Sequence, residues 1–111
     1  MWAVTVSIKF QNKLAKEAII NALKNKSTDM FENGGLLFRC FVNLTENSVD
    51  IYHVFKNKNY VIQKRSERTN QFWQDIKEMG GAVSRVEGEC EVEYSSDINL
   101  EDFMKIGKTS V

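Results

Sequence analysis

The sequence predicts an α+β fold, and three observations predict it. Apolar and polar residues alternate in four stretches, 2–10, 36–44, 49–56 and 82–94. Helical periodicity fills 12–26 and 57–79 between them. No proline occurs in the 111 residues. The resulting order of strand, helix, strand hairpin, helix, strand is the split βαβ or ferredoxin-like plan, βαββαβ. It calls for one antiparallel sheet with both helices on one face.

In the first strand Trp2, Val4, Val6, Ile8 and Phe10 share a face, and Ala3, Thr5, Ser7 and Lys9 share the other. Asn12 suits the N-cap of the first helix, with no acidic residue three positions on to complete a capping box. Leu14, Ala15, Ala18, Ile19, Ala22 and Leu23 form its apolar stripe, and Lys24 and Lys26 suit its negative end. Residues 27–35 read as a connector ending in the turn signal Asn33-Gly34-Gly35. The second strand sets Leu36, Phe38, Cys40, Val42 and Leu44 against Leu37, Arg39, Phe41 and Asn43. A Thr45–Ser48 loop leads to the third, which sets Val49, Ile51, His53 and Phe55 against Asp50, Tyr52, Val54 and Lys56. The second helix carries Val61, Ile62, Thr69, Phe72, Trp73, Ile76 and Met79 and ends at Gly80-Gly81. In the last strand Val86, Cys90, Val92 and Tyr94 alternate with Arg85, Glu87, Glu89, Glu91 and Glu93, and Gly88 marks a bulge or a close backbone approach. The glutamate row reads as one face of an edge strand, where charge blocks edge-to-edge association. Ile98, Leu100, Phe103, Met104 and Ile106 then suggest a short amphipathic helix.

Summed over the strands, the helix-covered face takes Trp2, Val4, Val6, Ile8, Leu36, Phe38, Cys40, Val42, Val49, Ile51, Phe55, Val86, Cys90 and Val92. The opposite face mixes Thr5, Ser7, Arg39, Asn43, Tyr52, Arg85 and Glu87 with Leu37, Phe41 and Val54. That mixture suits the same face of a second copy, an extended ligand, or solvent.

The length fits a single domain, 1–111, with a core over 2–94 and an extension over 95–111. Hydrophobic residues make up 42% and charged residues 27%, the balance of a globular domain. Fifteen basic residues face fifteen acidic ones, so the chain lacks the basic excess of a nucleic-acid binder. No apolar run has the ~20 residues of a membrane span, and the alternating start is not laid out as a signal peptide. The expectation is a cytoplasmic protein with no nucleic-acid or membrane partner. Cys40 and Cys90 read as small buried hydrophobes, and one histidine with two distant cysteines argues against a metal site.

The entry Gly35-Leu36-Leu37-Phe38-Arg39 and the strand Val49-Asp50-Ile51-Tyr52-His53-Val54-Phe55-Lys56, set in this order of elements, resemble the dimeric α+β barrel superfamily, which includes the antibiotic-biosynthesis mono-oxygenases. The resemblance spans about residues 2 to 94. It implies a homodimer, a pocket between sheet and helices, and a cofactor-independent mono-oxygenase acting on an aromatic or quinol-type molecule. It also admits a non-enzymatic binding or interaction module on the same barrel. The haem-degrading branch is similar in plan, but its second-helix histidine has no counterpart here.

On that reading His53 is the candidate catalytic base, because an imidazole titrates near neutrality. Its competing role is a hydrogen-bonded core residue. Trp73 and Phe72 are candidate pocket walls. Arg39 and Tyr52 are candidate substrate contacts, with interface or solvated roles as the alternative. No cofactor is expected.

Overall fold

The computed structural model describes residues 1–63 and 67–99. Strand β1 (Trp2–Lys9) leads into helix α1 (Lys13–Asn25), then helix α2 (Ser27–Asn33). Strands β2 (Leu36–Thr45) and β3 (Ser48–Phe55) form the hairpin. Helices α3 (Lys58–Gln63) and α4 (Glu67–Glu78) precede strand β4 (Ala82–Glu89). The sheet runs β2-β3-β1-β4, every neighbouring pair antiparallel. This is the ferredoxin-like α+β fold.

Helix α1 starts where the sequence suggests. The Asn12 side chain accepts the Ala15 amide at 2.8 Å, satisfying one orphan donor of the first turn. Its buried face is rotated from the expected stripe. Leu14 is 76% exposed, while Lys16 and Ile20 are buried and Ile19 and Leu23 pack on the core. Lys16 fits because its ammonium reaches past the helix to the Thr45 carbonyl at 2.7 Å.

The expected connector 27–35 contains α2. The expected second helix is described as α3 and α4, and 64–66 lie outside the described residues. The last strand ends at Glu89, so Cys90 to Tyr94 lie outside it. The expected C-terminal helix lies beyond the described residues from Leu100 on. Both cysteines are partly exposed free thiols.

The core is a layer between one sheet face and the helices. Val4, Val6, Ile8, Val49, Ile51, Phe55 and Leu36 meet Ile20, Val61 and Ile76, with Leu23, Tyr60, Phe72 and Trp73 at its margin. Val49 and Ile51 have no exposed surface, and burying each such side chain contributes about 1.5–3 kcal/mol.

The faces of β2 and β4 differ from the expectation in a consistent way. Leu36 pairs with Phe55 but Phe38 pairs with Val54, so Leu37 is an extra residue. Because side chains alternate, one extra residue turns everything after it over. Arg39, Phe41 and Asn43 therefore share the helix side with His53, Ile51 and Val49, and Phe38, Cys40 and Val42 share the open side with Val54, Tyr52 and Asp50. Along β4, Val83, Arg85 and Glu87 align with Ile8, Val6 and Val4 on the helix side, and Val86 aligns with Thr5 on the open side, 70% exposed. Gly88 sits in regular register opposite Ala3, without a bulge or a close neighbour.

Candidate functional site

These two face assignments bring a polar group together on the helix side. One row across the sheet reads Arg39, His53, Val4, Glu87, and the next reads Phe41, Ile51, Val6, Arg85. Sequence reasoning placed His53 apart from other polar groups. The bulge at Leu37 brings Arg39 beside it, and the register of β4 brings Arg85 and Glu87.

His53 is held by the sheet itself. Its Nδ1 lies 3.1 Å from the Val4 carbonyl directly across the β1–β3 ladder. A carbonyl only accepts, so the neutral ring carries its proton on Nδ1 and keeps a lone pair on Nε2. Phe55 stacks on the imidazole with centroids 6.0 Å apart. The His53 pKa falls from 6.5 to about 4. Burial is the main cause, the bond to Val4 opposes it, and the Arg39 and Arg85 charges add to it. At neutral pH the ring is an uncharged acceptor.

Arg39 is committed to the protein. Its guanidinium donates to the Leu23 carbonyl at 3.0 Å and to the Ser27 hydroxyl, contacts the Met30 sulfur at 3.2 Å and lies 5.3 Å from the Phe41 ring centroid. It ties the end of α1 to α2, sharing the Leu23 carbonyl with the Lys26 cap amide. Burial lowers its pKa to about 10, so it stays charged at neutral pH.

Arg85 forms an ion pair with Glu87 at 2.7 Å. Arg85 also lines a cleft of about 250 Å³ with Val6, Val83, Trp73, Gln74 and Lys77, between α4 and the β1–β4 edge. Trp73 meets Phe72 edge-on, with centroids 5.1 Å apart. Of the candidates, Trp73 therefore lines a cleft, Phe72 buttresses it, and Tyr52 stands on the open face, 42% exposed. A larger groove of about 410 Å³ runs beside α1, lined by Lys13, Lys16, Glu17, Lys24, Asn43 and Glu46. It is open to solvent, and His53 is not among its lining residues. No set of metal-ligating side chains occurs among the described residues, nor does any described helix have the length and apolarity to cross a membrane.

The fold is that of a ferredoxin-like α+β protomer, with a polar cluster beneath the helices on one sheet face and partly exposed apolar side chains on the other. Comparison with solved structures agrees. A candidate antibiotic-biosynthesis monooxygenase from Deinococcus radiodurans superposes with a TM-score of 0.67 at 10% identity, covering 86% of this chain and 97% of that one. A dimeric ferredoxin-like protein from an uncultured marine organism gives 0.62 at 10% identity, covering 86% and 99%. A mutant form of SnoaB, a cofactor-independent oxygenase from Streptomyces nogalater, gives 0.63 at 7% identity, covering 83% and 95%. No protein-family model matches the sequence, and no curated protein does.

Proposed function

We propose that the chain is a cofactor-independent, mono-oxygenase-like enzyme of aromatic or quinol-type small molecules, with His53 as its base. The observation that carries this is the state of the imidazole. It is neutral, fixed in one tautomer by Val4, and has an unprotonated Nε2. A positioned lone pair of this kind takes a proton from a substrate O–H or activated C–H.

A ring with a pKa near 4 is a weak base, and the neighbouring charges supply the remainder. Burial holds His53 neutral, and repulsion from Arg39 and Arg85 adds to it. An anion forming beside them is stabilised by the same charges, and it offsets their effect on the imidazole. Proton transfer to Nε2 and build-up of substrate anion thus favour each other. The electron pair left on carbon is what dioxygen then takes. Overall, a CH2 group and O2 become a carbonyl and water, with His53 returning its proton as water leaves. Trp73 and Phe72 supply an aromatic wall. The oxygenases of the same fold support the reading.

A homodimer belongs to it. The open face exposes Phe38, Val42, Tyr52 and Val86 around Val54 and Cys40, an apolar band suited to its own copy across a twofold axis. A cytoplasmic location fits the two free thiols.

A binding module on the same barrel is the second reading. It is favoured by Arg39 being consumed by protein groups and by the Trp73 cleft not including His53 among its walls. Oxygen uptake separates the two. Purified protein given anthrone or hydroxynaphthalene substrates should consume oxygen, and His53→Gln should lower kcat at least tenfold without changing the fold. Uptake that is unchanged in His53→Gln rejects the enzyme reading.

A further inference from the structure

The indole nitrogen of Trp2 is buried, and no described residue accepts its proton. Indole Nε1–H can only donate, and burying such a donor unpaired costs about 1–3 kcal/mol. The remainder of the ring is well accommodated. It shares a rung with Phe55 and Glu89, packs against the core, and carries the Lys58 ammonium 4.9 Å from its ring centroid. A Phe would fill the same place without an orphaned donor, so packing alone does not account for the nitrogen.

The position of Trp2 supplies a role. Trp2 and Val4 are successive helix-side residues of β1, and Val4 is the direct partner of His53. Trp2 and His53 are therefore diagonal neighbours across the ladder, about 7–8 Å apart. One is a buried donor without an acceptor, and the other presents a fixed lone pair without a proton. A buried unpaired group in a folded protein calls for an explanation, and a ligand that completes it is one.

We propose that Trp2 is a ligand-binding residue whose Nε1–H donates to a carbonyl or quinone-type oxygen of the molecule whose hydroxyl meets His53 Nε2. This rests on the His53 reading above and narrows its substrate to aromatic compounds with two oxygens on separate ring positions. A mono-oxygenated aromatic satisfies only one of the two groups.

Two probes of similar shape test it, 6-hydroxy-1,4-naphthoquinone and 2-hydroxynaphthalene, at a pH where both hydroxyls keep their protons, by calorimetry and by the indole N–H resonance of Trp2. Wild-type protein should bind the quinone about five- to tenfold more tightly, the span of one hydrogen bond. The Trp2 N–H signal should move downfield with the quinone alone. Trp2→Phe should lower quinone affinity to that of the naphthol and leave naphthol binding unchanged. Equal affinities in wild type and Trp2→Phe, or a Trp2 N–H signal that ignores the quinone, overturn the role of Trp2. The N–H signal needs no variant, so it decides even where Trp2→Phe misfolds. If His53→Gln also binds both probes as wild type does, the site reading falls with it; if His53→Gln weakens both, the site stands and only Trp2 is rejected.

Discussion

Arg39 stands directly opposite His53 in the β2–β3 ladder, and their side chains have opposite fates. Arg39 is bound to Leu23, Ser27 and Met30. His53 spends one ring nitrogen on Val4, and its charge is suppressed by burial and by Arg39 and Arg85.

Stability should therefore depend on pH through His53. Its pKa is 6.5 when unfolded and about 4 when folded. Between those values the unfolded chain binds more protons, so stability rises with pH and levels off above about 6.5. The span from about pH 4 to 7 is worth up to about 3 kcal/mol. Urea unfolding across that range should show the loss on acidification, and His53→Gln should flatten it. An unchanged slope in His53→Gln would place the titration elsewhere.

Arg39→Ala should destabilise by about 2 kcal/mol, because it strips the Leu23 carbonyl and Ser27 hydroxyl of a charged donor. Arg39→Lys should recover less than half, since an ammonium cannot reproduce the forked contacts. Denaturant midpoints measure both.

Gly35 has φ +68°, and a Cβ there would lie 2.3 Å from Cγ of the Tyr60 ring. The close approach seats α3 against the start of β2. Gly35→Ala should cost at least about 2 kcal/mol, from strain and displacement together. Gly88→Ala meets nothing within 4 Å and should stay within about 0.5 kcal/mol of wild type. Thermal melts of the two variants give the comparison.

Light scattering should give twice the chain mass of 12.8 kDa. Tyr52→Asp, in the middle of the open face, should yield monomer with unchanged circular dichroism. A wild-type monomer at micromolar concentration contradicts the homodimer.

Alternation and helical periodicity carried the element order, because strand and helix periods are properties of neighbouring residues. Asn12 as a cap and Gly80 with φ +86° after α4 were legible for the same reason. Trp73 beside a cleft was also within reach of periodicity, but its partners Val6 and Arg85 come from other strands.

Residue order alone dictates a βαββαβ chain with one apolar sheet face, and it supplies a single histidine, His53. Strand pairing dictates what surrounds that histidine. Leu37 looks like any other residue of an alternating run, yet it is left unpaired when β2 meets β3. That single offset sends Arg39 under the helices and Phe38, Cys40 and Val42 to the open face. Register is a relation between strands distant in sequence, so no local pattern could have revealed it.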